Sequence, residues 1–202
     1  LSASRAHEIQ HQFSQEVTVA SRDSRLRWIA GLFLFGETDR QPTSIYVPAS
    51  QLESRFDPRV DADASAVFGQ ATFALTPRVA VTAGLRYTTE HNTIDNAGVR
   101  YAIDSPATLL SGSSYSYTDV ISHDAWTPKF GLEMRASEDV MAYASATRGF
   151  KSGGFNISSP AAGGGFGPEW AWSYEGGLKT IVGGGRARLN VAAFQTNYSD
   201  LQ

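Results

Sequence analysis

Two stretches of the chain combine residue types that could do chemistry. His7-Glu8-Ile9-Gln10-His11 matches H-E-x-x-H, in which two histidines one helical turn apart hold zinc and the glutamate acts as general base. That chemistry needs a helix, and the segment runs instead into FSQEVTVAS, which alternates like a strand. On an extended chain His7 and His11 share a side but stand about 13 Å apart, at roughly 3.3 Å per residue. One zinc ion cannot span that distance. Ser14 also stands where the longer metzincin pattern requires glycine. His7, Glu8 and His11 therefore read as a chance match, and a zinc peptidase is kept only as a remote alternative. The second stretch, ATRGFKSGGFN (146–156), sets glycines beside Lys151 and Ser152 and invites a phosphate cradle. A Walker loop needs glycine directly before the lysine and a helix after it. Phe150 precedes Lys151, and no helical pattern follows. In GGGFGP (163–168), Pro168 replaces the last glycine of a dinucleotide fingerprint. The four histidines, at 7, 11, 91 and 123, have no nucleophile elbow near them, and Glu138–Asp139 falls in a turn where solvation explains it. The reading is a protein that is not an enzyme, with no cofactor and no metal site.

The elements that would position any site come from period-two alternation. In RVAVTAGLRYTTE (78–90), Val79, Val81, Ala83, Leu85 and Tyr87 fall on one face, while Arg78, Arg86 and Glu90 fall on the other. AWTPKFGLEMRA (125–136) repeats this, with Trp126, Phe130, Leu132 and Met134 opposite Lys129, Glu133 and Arg135. About eight strands follow, near 13–22, 26–37, 65–76, 79–91, 124–136, 140–150, 170–182 and 186–199. Short turns at Asp23–Arg25, Pro77–Arg78, Ser137–Asp139 and Gly183–Gly185 alternate with long polar segments at 38–64, 92–123 and 151–169. Tight turns at one end and long loops at the other, with strands long enough to cross a bilayer and aromatics near their ends, are the pattern of an outer-membrane barrel. The longest apolar run, WIAGLFLFG (28–36), is too short for a spanning helix of roughly 20 residues. With 19 glycines and 11% aromatics the composition suits an all-β protein with many turns. A net charge of −3 offers no bulk attraction to nucleic acid, so none is expected as a partner.

Five blocks carry a family resemblance. They are FSQEVTVAS (13–21), AVFGQATFALTPRVAVTAGLRYTTE (66–90), WTPKFGLEMRASEDVMAYASATRGFKSGGFN (126–156), PEWAWSYEGGLKT (168–180) and RLNVAAFQTNYSDLQ (188–202). Together they resemble the β-barrel region of TonB-dependent receptors, most specifically around YASATRGFKSGGFN and YEGGLK. The resemblance implies energised uptake of a scarce ligand, most often a ferric siderophore, across the outer membrane of a Gram-negative cell. It implies a barrel of about 22 strands with a plug in its lumen, and TonB as the partner that delivers energy. Residues 1–202 are expected to be a mid-to-late slice of such a barrel, without plug or TonB box. The partners implied are outer-membrane lipid, the rest of the barrel and its plug. Closure of eight strands into a small barrel with a structural or adhesive role is the alternative.

In this frame the short turns are periplasmic, so the strand from Val140 runs outward and ATRGFKSGGFN lies at the extracellular rim. Arg148, Gly149, Phe150, Gly153 and Gly154 are expected to be structural there. Arg148 should turn toward the lumen, and Gly153 and Gly154 permit the bend and the positive φ values that leaving a strand can require. Ligand contacts, if made, fall to loop residues: Tyr101, Tyr115 and Tyr117 in one loop, Lys151, Asn156 and Phe166 in the other.

Overall fold

A chain that alternates apolar and polar residues over ten or more positions cannot satisfy its backbone alone. It pairs edge to edge, and pairing sorts the two residue types onto opposite faces. The computed structural model describes residues 2–23, 25–103, 108–109, 113–158 and 161–202, and it has this form. Its strands are β1 (Ala3–Ala6), β2 (Ile9–Arg22), β3 (Leu26–Arg40), β4 (Thr43–Val47), β5 (Leu52–Phe56), β6 (Arg59–Thr76) and β7 (Val79–Ala102). They continue with β8 (Thr108–Leu109), β9 (Tyr115–Arg135), β10 (Val140–Lys151), β11 (Gly154–Phe155), β12 (Gly165–Phe166), β13 (Glu169–Val182) and β14 (Ala187–Ser199).

Eight of them, β2, β3, β6, β7, β9, β10, β13 and β14, lie side by side in chain order, all antiparallel. These match the eight strands read from the sequence. Among the described residues β2 pairs only with β3 and β14 only with β13, so the sheet is open. The alternative of an eight-stranded barrel closing on itself is not what the chain forms. Four short connections, at 23–25, 77–78, 136–139 and 183–186, gather at one end. In the first, Asp23 Oδ1 accepts the backbone N–H groups of Arg25 (2.7 Å) and Leu26 (3.2 Å). In the last, Gly183, Gly184 and Gly185 have φ of 65°, 67° and 91°, a region closed to most side chains.

The other end departs from expectation. Segments 38–64 and 92–123 are mostly strand rather than loop. β3 runs to Arg40, β4 and β5 form a hairpin, and β6 starts at Arg59. β7 continues unbroken to Ala102 and β9 begins at Tyr115. The sequence there is rich in Asp, Asn and Thr and so reads as polar loop. Those side chains instead bond across the ladder: Thr38 Oγ1 donates to Asp61 (2.5 Å), Thr118 Oγ1 donates to Asp95 (2.5 Å), and His91 Nδ1 bonds with Ser122 Oγ (2.9 Å). The strands thus stand well beyond the region where alternation is apolar.

Cross-strand partners share a face, so register assigns every side chain. One face carries Val79, Val81, Leu85 and Tyr87 of β7; Met134, Leu132, Phe130 and Trp126 of β9; Ala142, Ala144 and Ala146 of β10; and Leu178, Tyr174 and Trp172 of β13. Its large side chains are bare, Leu132 at 46% and Phe130 at 54% exposure. The opposite face carries Thr82, Arg86 and Glu90; Lys129, Glu133 and Arg135; Tyr143 and Ser145; and Glu175 and Lys179. This polar face is the hollow one. A cavity of about 510 Å³ lies on it among Arg27, Gln70, Thr82, Lys129, Glu133, Tyr143 and Lys179. Aromatic pairs mark the upper limit of the apolar face: Tyr87–Trp126 (4.6 Å), Trp172–Tyr174 (6.0 Å) and Phe150–Trp170 (5.5 Å). From Val79 to Tyr87 the apolar row runs about 26 Å along the strand at roughly 3.3 Å per residue. A tilted strand of that length crosses most of an apolar band of about 25 Å.

Candidate functional site

Above the apolar band, β7 and β9 keep alternating, and their polar-face rows become the floor of a site. β7 presents Thr88, Glu90, Asn92, Ile94 and Asn96, and β9 presents Tyr117, Asp119, Ile121, His123 and Ala125 opposite them. The described residues of segment 152–168, which are 152–158 and 161–168, fold back over this floor and carry the small β11–β12 hairpin. They are fastened by polar contacts with named partners. Asn96 Nδ2 donates to the Ile157 carbonyl at 2.8 Å, the Gly163 N–H donates to Asp119 Oδ2 at 2.6 Å, and Ser152 Oγ donates to Glu90 Oε1 at 2.8 Å. The Asn156 N–H closes the hairpin onto the Gly164 carbonyl at 3.1 Å. Among the side chains of this floor Ile94 is at 0% exposure, Ala125 at 1% and Asn96 at 2%. Glu90 Oε2 and His123 Nε2 are buried there without a hydrogen-bond partner.

Lower on the same face, Arg86 lies over the rings of Phe33 (5.0 Å) and Phe68 (5.6 Å) and donates from Nε to Thr88 Oγ1 at 3.0 Å. Above the band on the other face, arginines pair with carboxylates: Arg40 with Asp57, Arg55 with Glu53 and Arg59 with Asp61. The hydrogen bonds from these arginines hold Asp57, Asp61 and Glu53 below the usual carboxylate range. Partial burial pushes the Tyr115 phenol up.

The residues singled out in the sequence divide between the two faces. Tyr115 and Tyr117 stack at 6.2 Å on the polar face, where Asn96 Nδ2 donates to the Tyr117 hydroxyl at 3.2 Å. Tyr101 sits on the other face, against the Arg55 guanidinium at 5.2 Å, because it is odd-numbered on β7 like Tyr87. Lys151 pairs with Glu169 at the top of β10 and is exposed. Asn156 Oδ1 accepts from the Ser158 N–H and hydroxyl in a local turn. Phe166 lies against Gly154 and is 41% exposed. His7 and Glu8 occupy the break between β1 and β2, and His11 lies on β2 opposite Thr38, so no helical turn brings the two histidines together.

Among the rim residues Arg148 needs a correction, and the glycines serve a purpose other than positive φ. Arg148 does not turn toward the polar face: it pairs with Trp172 and continues the row Ala142, Ala144, Ala146, so it stands on the apolar face with its guanidinium 3.9 Å from the Trp170 ring. Gly153 and Gly154 do not have positive φ, which among the described glycines belongs to 163, 183, 184 and 185. Gly153 answers a different need: a Cβ there would lie 2.7 Å from His123 Nε2 and would strike the Phe166 carbonyl. Phe150 packs on Trp170, and Gly149 has open space around it. The residues missed in the sequence are Glu90, Asn96, Asp119, Ile121 and His123. Their signal was alternation continuing past residue 91, hidden by a polar composition on both faces.

An open antiparallel meander with one bare apolar face, an aromatic limit and a hollow polar face is a segment of a transmembrane β-barrel of the outer-membrane type. The match to the family model described as TonB dependent receptor-like, beta-barrel extends over residues 4–202, and the chain belongs to that family. The family is one of receptors. Among solved structures, the chain is similar to the ferric yersiniabactin uptake receptor FyuA from Yersinia pestis, with a TM-score of 0.85 and 18% identity over 100% of this chain and 30% of that one. It is also similar to the ferric-catecholate import receptor Fiu from E. coli K12, closed form (TM-score 0.63, 17% identity, 96% of this chain and 32% of that one). A third is the siderophore receptor PiuA from Acinetobacter baumannii (TM-score 0.55, 12% identity, 94% and 40%). The chain spans 30–40% of the length of these three receptors.

Proposed function

We propose that this chain is part of the barrel wall of an outer-membrane receptor in a Gram-negative cell, and that the whole receptor takes up a ferric siderophore with energy delivered through TonB. The observation that carries the reading is the two-faced wall itself: an apolar band for lipid on one side, and on the other a polar hollow roofed at one end by segment 152–168. Membership of the receptor family supports it, and so do the ligands named for FyuA, Fiu and PiuA. In this reading the short turns are periplasmic and the long hairpins extracellular. The free edges of β2 and β14 pair with the rest of the barrel, and the polar face meets the plug. Of the loop candidates for ligand contact, register puts Tyr115, Tyr117 and Lys151 on the polar face, and Phe166 and Asn156 belong to the segment folded over it; Tyr101, on the outer side, is set aside. The test is growth of a strain lacking the full-length gene on a panel of single iron sources, with cobalamin and sugars as further arms. Loss of growth on one ferric siderophore, restored by the gene, is the expected result. Unchanged use of every ligand would overturn it.

A further inference from the structure

We propose that Arg148, with the groove of small residues below it, seats a phosphate-bearing lipid on the outer wall of the barrel. The inference rests on the membrane reading above. Register places Arg148 on the apolar face, and among the described residues it is the one lysine or arginine on that face between the short turns and the aromatic pairs. Arg40, Arg55 and Arg59, higher on the same side, each have a carboxylate partner. Arg148 has no hydrogen bond or ion pair with the described residues; its Nε is buried without a partner, and its guanidinium is fixed over Trp170 at 3.9 Å. A cation held against an indole at the edge of an apolar band presents its remaining N–H donors toward the headgroup layer, where the common anion is phosphate.

The wall beneath Arg148 fits the rest of a lipid. On β10 the same face descends through Ala146, Ala144 and Ala142. At the level of Ala144 the next two strands contribute only Gly176 and Ala193. Bulky Phe130, Leu132 and Met134 of β9 form one bank, and Tyr174 and Leu178 of β13 stand above and below the gap. The alanines of β10 thus form a trough about one strand wide, roughly 5 Å and the width of an acyl chain, and at the level of Ala144 it opens sideways across Gly176 and Ala193. Free phosphate would gain nothing from this trough, so a lipid is the occupant to which the geometry points.

The experiment uses the full-length receptor folded into lipid vesicles, with heat-modifiable gel migration as the check on insertion. Retention of dioleoyl phosphatidic acid is measured by native mass spectrometry against dioleoylglycerol, which has the same chains without phosphate, and against inorganic phosphate. Arg148→Gln should lower phosphatidic acid retention about fivefold and leave dioleoylglycerol unchanged, and inorganic phosphate should not compete. Ala144→Trp, which fills the trough and leaves the cation in place, should lower retention of both lipids. Equal phosphatidic acid retention by the wild type and both inserted variants overturns the proposal. A wild-type receptor that does not insert at all overturns the membrane reading instead.

Discussion

Replacing Gly153 with alanine should release segment 152–168 from the polar face. The added methyl would lie 2.7 Å from His123 Nε2 and would meet the Phe166 backbone carbonyl. The imidazole could turn aside, but the carbonyl belongs to β12, which is paired to β11, so the hairpin itself must shift. Overpacking of this kind costs about 1–3 kcal/mol. If that cost falls on the closed segment alone, the ratio of open to closed rises by about 5- to 150-fold. Limited proteolysis of the full-length receptor in membranes reads this as faster cleavage between residues 152 and 168. Gly149→Ala is the control, since a methyl there meets nothing within 4 Å. Equal cleavage rates for Gly153→Ala, Gly149→Ala and wild type would refute the argument that close approach selects glycine at 153.

Other consequences are as direct. Asn96→Ala removes the donor to the Ile157 carbonyl under the folded segment, and the loss of a buried hydrogen bond of about 1–3 kcal/mol should appear as accelerated cleavage of the same segment. Leu132→Arg, on the bare apolar face, should destabilise the receptor in vesicles by about 2–4 kcal/mol in urea unfolding. Ser145→Arg, on the polar face beside Glu175, should cost far less, and equal costs would contradict the assignment of faces. The carboxylates of Asp57, Asp61 and Glu53 are held low by arginine hydrogen bonds. Their contribution is complete above the unfolded values of about 4 and is lost as pH falls through the lower folded values. Protection of the β4 and β5 amides, taken relative to the intrinsic exchange rate at each pH, should therefore fall below about pH 4 and stay flat between pH 5 and 8.

How much of this could be read in the sequence depended on composition more than on alternation. Where one face is apolar, as in Val79–Tyr87 against Arg86 and Glu90, strand and face were both legible. Where both faces are polar, as in His91–Asp95, the same alternation looked like loop, because nothing in the residue types marks a ladder held by Thr–Asp and His–Ser bonds. The short turns were legible because Pro77 and the Gly183–Gly185 run leave few other backbone choices. Arg148 was assigned to the wet side by its charge, although Ala142, Ala144 and Ala146 set its parity to the apolar side. The fold-back of 152–168 depends on contacts with Asn96 and Asp119, more than 40 residues away in the chain, which no local pattern reveals.

The two-faced wall is tested most directly by cysteine scanning along β9. These 202 residues contain no cysteine, so single substitutions from Trp126 to Arg135 can carry spin labels in native membranes once any cysteine elsewhere in the full-length receptor is replaced by serine. Labels at 126, 130, 132 and 134 should be relaxed by lipid-soluble oxygen, and labels at 127, 129, 131, 133 and 135 by a water-soluble nickel chelate. Uniform access of the nickel chelate to both sets would contradict the account.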